Sequence, residues 1–432
     1  MALATTVKRL GLADAFIRRN PVLYGRAARS IRALEDRADT TIPRRLEERL
    51  AATLRAAGRT AYGQKLGSPR RLDEWPILGK QLIREKPEDF ICGSGLWSVG
   101  AATSGTSGTP LQLRRSLASV AYEQAVIDRC LERFGVTPSR SRGAVLRGDD
   151  IKLPSDREPP FWQLANGGRR LLFSSNHLDA GTLKAFVGAL REYSPEVLFA
   201  YPTVLDSLCA LMIEHGEQLK IPLTVCSSET LTQATCEAAS RALGTRILDY
   251  YGQAERVAFA SGNPIEGYFF HAGYSVNELH PLEADGDTIV YELIATGLAN
   301  DVMPLVRYRT GDKVRLARDA DPLAVARGEA PFFGIIGRSD DVLISPNGAK
   351  LTGIDHIPRG VAGVIRAQFI QESATDIRLL IIPADDFNDR SRALLMEHAA
   401  LKLPPPMQVR IELTTQLERA ASGKAPLVIR RI

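Results

Sequence analysis

With 432 residues, 44% of them hydrophobic and 24% charged, the chain has a globular composition and is too long for one compact core; a disordered or fibrous class is excluded and at least two domains are predicted. The net charge of +5 is modest and the arginines are interleaved with acidic residues, so no basic block for a nucleic-acid partner is present. Cys92, Cys130, Cys209, Cys226 and Cys236 form an odd set without CxxC spacing, which argues against a disulfide framework or a zinc ribbon and predicts a cytoplasmic protein.

No apolar run is long enough to cross a bilayer, and the N-terminus lacks the apolar block and cleavage site of a secretory signal, so stable membrane insertion is not expected. The first helix candidate sets Leu10, Leu12, Phe16 and Ile17 beside Lys8, Arg9, Arg18 and Arg19. It is expected to pack on its own domain, the alternative being contact with a membrane surface. Leu46, Leu50 and Leu54 recur at one-turn spacing, and with Pro43 in the first turn and Gly58 at the stop they predict a helix over 43–58. Residues 97–115 read as a loop crowded with Gly, Ser and Thr, followed by a strand with alternating Leu111 and Leu113. A helix over 117–134 is predicted next.

The apolar run 197–199 predicts a strand, after which come Tyr201 and Pro202. Between 221 and 255 the pattern is strand (223–226), amphipathic helix (232–243, stopped by Gly244) and strand (246–249). That βαβ unit predicts two parallel strands with a right-handed crossover and a ligand site outside their carboxyl ends. Those ends carry Ser227, Ser228 and Glu229, and then Tyr250 through Glu255. Strands are expected at 288–294, 305–309 and 313–316, in a smaller sheet or barrel. Beyond Gly337 a separate unit is predicted, with strands at 367–371 and 378–382, a helix at 391–401 and a break at Pro404-Pro405-Pro406.

The segment Thr103-Ser104-Gly105-Thr106-Ser107-Gly108-Thr109-Pro110 offers close-approaching amides and hydroxyls that suit phosphate oxygens. It lacks the Gly-Lys-Ser/Thr ending of a Walker loop. Tyr251 offers a flat ring for adenine, Glu255 a hard oxygen for Mg2+, Asp312 a carboxylate for ribose hydroxyls, and Arg338 a cation for phosphate or ribose oxygens. Each admits a plainer reading by itself: a flexible connector, a core tyrosine, a solvated glutamate, a turn aspartate, a surface arginine. Lys424, near the terminus, is in isolation a solvated lysine.

Together and in this order the segments resemble the acyl-adenylate-forming superfamily of acyl-CoA synthetases, adenylation domains and luciferases. The 103–110 segment resembles its phosphate loop and Asp249-Tyr250-Tyr251-Gly252-Gln253-Ala254-Glu255 its Tyr-Gly-x-x-Glu motif. Tyr308-Arg309-Thr310-Gly311-Asp312 resembles its Thr-Gly-Asp motif, Gly337-Arg338-Ser339-Asp340-Asp341 its hinge, and Ala421-Ser422-Gly423-Lys424 its catalytic-lysine segment. The resemblance runs from Trp75-Pro76-Ile77-Leu78 to Lys424 and looks closest to phenylacetate-coenzyme A ligases and their capsule-associated, CapK-like relatives.

The implied fold class is α/β: a large domain (1–339) of helix-flanked sheets plus a small distorted barrel, and a small mobile α+β domain (340–432). The implied chemistry is ATP-dependent activation of a small, aryl or otherwise hydrophobic carboxylic acid to acyl-AMP, then transfer to coenzyme A. Lys424, Glu255 and Arg338 would be catalytic, with Mg2+ on Glu255. ATP or AMP would be held by Thr103 through Thr109, Ser228, Glu229, Tyr250, Tyr251, Gly252, Gln253 and Asp312. Asp340 would be the hinge, Tyr201, Pro202 and Ala254 the acyl pocket, and Gly348 and Lys350 in a loop facing coenzyme A. Expected partners are the acid and coenzyme A or another acyl acceptor, a homodimer being allowed for. A non-thiol acceptor and a degenerate nucleotide-binding protein are the alternatives. His271 is read as a packed or pocket histidine, since no cysteine follows Cys236 to build a zinc site there. Ala254 stands where Thr or Ser is common, and Glu418-Arg419-Ala420-Ala421 replaces the usual Pro-Lys-Thr lead-in, which leaves acid and acceptor open.

Overall fold

A computed structural model of the chain describes residues 14–35, 41–93, 98–102, 111–147, 151, 158–336, 343–346, 350–351, 354, 357–358, 361–419 and 425–432. Its strands, in chain order, begin with the hairpin β1 (Ser98–Ala102) and β2 (Gln112–Ser116). The stretch expected as loop thus starts as a strand, in which Ala102 pairs with Gln112. Then come β3 (Gly143–Leu146), β4 (Trp162–Ala165), β5 (Arg170–Phe173), β6 (Val197–Ala200), β7 (Leu223–Ser227), β8 (Arg246–Gly252), β9 (Phe259–Asn263) and β10 (Gly267–Phe270).

These last eight form one sheet in the order β10-β9-β8-β7-β6-β3-β5-β4. Its centre, from β8 through β5, is parallel. A parallel centre must be covered on both faces, and β7 is buried at every position. One face packs on helices Leu183–Tyr193, Pro202–Glu214 and Gln233–Leu243, the other on helices Pro21–Glu35 and Leu117–Glu132. The predicted βαβ unit is present: Thr232 caps its helix through the Thr235 amide, Gly244 ends it in the left-handed conformation, and β7 and β8 run parallel.

Strands β11 (Ser275–Asp285), β12 (Thr288–Gly297), β13 (Tyr308–Ala317) and β14 (Ile335–Ile336) form an antiparallel sheet in that order, the smaller sheet or barrel expected there. The two strands expected at 305–309 and 313–316 are one strand, β13, interrupted by a bulge. Glu292 faces Lys313 and Ile294 faces Arg309, so Thr310, Gly311 and Asp312 together stand against Leu293. Gly311 takes a φ of 76°, and the Thr310 hydroxyl donates to the Leu293 carbonyl (2.8 Å) while accepting from the Asp312 amide (3.0 Å).

Strands β15 (Leu343–Ile344) and β16 (Lys350–Leu351) pair with each other, so the backbone of Lys350 lies in a short strand where a loop was expected. The chain ends in β17 (Val364–Gln371), β18 (Asp376–Pro383), β19 (Gln408–Leu413) and β20 (Val428–Arg430), ordered β19-β18-β17-β20, with helix Asp389–Lys402 completing a core around Phe369, Leu379 and Leu395. Among the described residues no helix is long and apolar enough to cross a membrane.

Candidate functional site

The carboxyl ends of β6, β7 and β8 open on one side of the sheet, where parallel strands leave a crevice. Tyr251, near the end of β8, turns toward the antiparallel sheet and donates its hydroxyl to Asp312 Oδ2 at 2.6 Å. Gln253 donates its amide to the Tyr251 hydroxyl and accepts from the Ala258 amide at 3.2 Å, which fixes the turn following β8. Asp312 is buried at 1% exposure, so the bulge places a carboxylate inside the molecule, beside the tyrosine.

Glu255 is buried at 8% exposure. Its Oε1 accepts from the Tyr308 hydroxyl at 2.8 Å and lies 4.0 Å from the Lys80 ammonium, while Oε2 has no hydrogen bond to a described residue. Tyr308 opens β13 and pairs with Leu78, whose amide donates to Arg307 (2.9 Å), so the segment before Lys80 is bound to the same strand. The Glu255–Tyr308 and Tyr251–Asp312 pairs therefore each join the end of β8 or the turn after it to β13, two polar links that make a seam between the two sheets. Among the described residues no group of three or more metal-ligating side chains occurs. A single carboxylate with one oxygen uncommitted still fits magnesium, which is commonly held by one or two carboxylates together with phosphate oxygens and water.

Two residues that sequence reasoning missed tie other segments to this seam. Lys80 faces Glu255 from 175 positions earlier in the chain, and Arg115 donates from Nε (3.0 Å) and Nη2 (2.5 Å) to the carbonyl of Ala254. Arg115 lies on β2, so it anchors the β1–β2 hairpin to Ala254, the neighbour of Glu255 in the chain. Burial lowers its pKa, and the neighbouring Arg256 adds to that. No local pattern marks either residue; both come together only through tertiary pairing.

The remaining expected residues spread around the crevice. Gly252 ends β8 in an exposed position, and Ser228, exposed past the end of β7, holds a φ of 72°. Glu229 Oε2 accepts from the Thr203 amide at 3.0 Å, which makes it the N-terminal cap of helix Pro202–Glu214. Arg366 and Arg419 feel the same carboxylate from the C-terminal unit; burial lowers their pKa values and Glu229 opposes that fall. Tyr201 is half-buried before this helix, Pro202 is buried, and Ala254 is half-buried. Tyr250 points to the opposite sheet face from Tyr251 and stacks on Phe259 at 5.6 Å, so it does not join the Tyr251–Asp312 seam.

His271 is a packed histidine. Its Nε2 lies 2.8 Å from Ser261 Oγ and 3.6 Å from Cys130 Sγ, and burial pushes its pKa down to about 3. The thiol beside it comes from earlier in the chain, which the search for a following cysteine did not reach. Thr103 through Thr109, Arg338, Asp340, Gly348 and Lys424 lie outside the described residues, as does the Lys350 side chain.

Residues 343–431 match the CapK C-terminal domain. The chain is 24% identical over 320 residues to Protein CapK of Staphylococcus aureus, covering 73% of this chain and 70% of CapK. It is 27% identical over 282 residues to a phenylacetate-coenzyme A ligase of Thermus thermophilus, covering 62% of this chain and 59% of the ligase. Among solved structures, a 2-hydroxyisobutyryl-CoA ligase in the postadenylation state in complex with 2-HIB-AMP superposes with a TM-score of 0.58 at 16% identity, over 95% of this chain and 89% of that one. The chain is thus similar over most of its length to CapK, is related to the phenylacetate-coenzyme A ligases, and has the fold of the acyl-adenylate-forming superfamily.

Proposed function

We propose that the chain is an AMP-forming acid-thiol ligase: it joins a small carboxylic acid to the α-phosphate of ATP, releases pyrophosphate, and passes the acyl group to coenzyme A. The observation that carries this reading is the seam in which two buried carboxylates, Glu255 and Asp312, each accept from a tyrosine where the carboxyl end of parallel β8 meets β13. The phenylacetate-coenzyme A ligase relatives support the class of reaction.

In this reading Asp312 takes the ribose hydroxyls and Tyr251, held by Asp312 and Gln253, presents its ring to the adenine. Glu255 would hold the magnesium ion, which supplies charge neutralisation between the carboxylate nucleophile and the phosphates. Tyr308 orients the Glu255 carboxylate through Oε1. Lys424, from the C-terminal unit, and Arg338 would add positive charge where the pentavalent phosphorus develops negative charge, a contribution of about 3 kcal/mol for one well-placed donor. The 103–110 segment, fixed by Arg115 at its β2 end, would wrap the phosphates. Residues 1–339 and 340–432 act as body and lid, turning about Asp340, and Gly348 and Lys350 then face the pantetheine arm.

The test is product analysis with ATP and a panel of aryl, aliphatic and amino acids, with coenzyme A supplied or omitted. AMP, pyrophosphate and a thioester together support the reading; AMP without thioester moves the acceptor to an amine, hydroxyl or carrier. A panel that yields no AMP at all refutes it.

A further inference from the structure

Arg147 follows β3 directly, at the crevice side of the parallel sheet. Its guanidinium carbon lies 5.4 Å from the centre of the Phe199 ring. Phe199, Val225 and Leu248 are paired neighbours across β6, β7 and β8, with Tyr250 two residues further on, so Arg147 stands on the Tyr250 face of the sheet. Arg147 Nε and Nη2 are closed off from solvent and have no hydrogen-bond partner, and no ion pair to Arg147 occurs among the described residues.

Asp249 feels the Arg147 charge but does not pair with it. Asp249 lies on the opposite face, where it accepts from the Tyr268 hydroxyl at 2.8 Å, and its Oδ1 is itself buried without a partner. Burial raises the Asp249 pKa to about 6, and the Arg147 charge works against that rise. Guanidinium nitrogens that are closed off from solvent with their donors unused are costly to keep unless an anion completes them. These donors lie just past the carboxyl end of β3, on the same edge of the sheet as the carboxyl ends of β6, β7 and β8.

We propose that Arg147 is a specificity-determining residue that pairs with a second carboxylate on the acid being activated, so that the substrate class is a small dicarboxylic acid. This rests on the adenylation reading above. It replaces the hydrophobic acid expected from Tyr201 and Pro202 with one that is apolar in the middle, against Phe199, and anionic at both ends. Three strand spacings separate β3 from β8, about 14 Å, and the arginine side chain bridges part of that span, which keeps the acid short. A guanidinium fork suits a carboxylate through two parallel hydrogen bonds.

Acid-dependent ATP–pyrophosphate exchange with two matched pairs tests this: adipate against hexanoate, and 4-carboxyphenylacetate against 4-methylphenylacetate. The wild-type kcat/KM should favour each diacid by about 100-fold or more. In Arg147→Met the ratio should fall to near unity, and Arg147→Lys should keep part of it. Because no ion pair to Arg147 occurs among the described residues, both variants should unfold within a few degrees of wild type. Equal use of mono- and diacids by wild type, or an undiminished preference in Arg147→Met, overturns the proposal. If no acid supports exchange, calorimetric titration with 4-carboxyphenylacetate separates the two readings. Heat of binding that is lost in Arg147→Met upholds the arginine's role while the adenylation reading fails, and absence of binding overturns both.

Discussion

The Tyr251 hydroxyl meets the Asp312 carboxylate at 2.6 Å, joining the carboxyl end of a parallel strand to a bulge in the middle of an antiparallel one. The contact exists because β13 carries three residues opposite Leu293, which turns Asp312 inward instead of leaving it on a solvated turn. The nucleotide half of the proposed site is thus held where the two sheets share a core that includes Ala260, Phe270, Leu293 and Tyr308.

Tyr251→Phe keeps the ring and removes one donor from a buried carboxylate. Leaving such a group short of a partner costs about 1–3 kcal/mol. The variant should lose stability in that range in urea unfolding, and its KM for ATP should rise by roughly tenfold with kcat less affected. Asp312→Ala should raise that KM further, since it removes the proposed ribose contact itself.

Arg115→Met should uncouple the β1–β2 hairpin from Ala254. The fold should survive, since Ser116 and Asn300 still join β2 to the body through the 3.0 Å bond from the Ser116 amide. Catalytic efficiency with ATP should fall by at least about tenfold, on the argument that misplacing a phosphate-binding segment slightly is costly. Steady-state kinetics alongside circular dichroism would check this; unaltered kcat/KM would show that the anchor is dispensable.

Ser228 holds a left-handed backbone without being glycine. That conformation costs an ordinary residue about 1–2 kcal/mol. Ser228→Gly should therefore stabilise the protein by about 1 kcal/mol in denaturant unfolding, and Ser228→Val should destabilise it. Any loss of activity in the glycine variant would assign the strained turn a positioning role.

Two buried groups set opposite pH dependences. His271 has its pKa pushed down to about 3 by burial, so its contribution is full above about 6.5, the unfolded value, and is lost as pH falls. Asp249 is raised to about 6 by burial, so the protonated form favours folding below about 4 and that advantage is lost as pH rises to 6. Between about pH 4 and 6 the two nearly cancel, each acting at about 1.4 kcal/mol per unit. Asp249→Asn should remove the second effect and leave the variant more acid-sensitive than wild type across that window, as chemical unfolding at several pH values would show. Parallel stability profiles for the two proteins would contradict this.

Much of the core was legible from local pattern. Residues 223–249 read as strand, helix and strand because each segment carries its own period and stop signal, and the structure has them. The turn at Thr310-Gly311-Asp312 was misread, since a glycine between polar residues looks the same in a bulge as between two strands. Lys80, Arg115, Arg147 and Cys130 could not be assigned to their neighbours, because each meets its partner across more than fifty residues of chain. Glu229 shows a different limit: at a strand end it reads as a ligand residue, yet one of its oxygens caps the neighbouring helix.

The most direct test of the central claim is acid-dependent exchange of pyrophosphate into ATP, measured without coenzyme A for wild type and Glu255→Gln. The account predicts that exchange requires both an acid and magnesium and falls by about 100-fold or more in Glu255→Gln, with the variant still folded. Exchange that is absent with every acid, or equal in the two proteins, would contradict it.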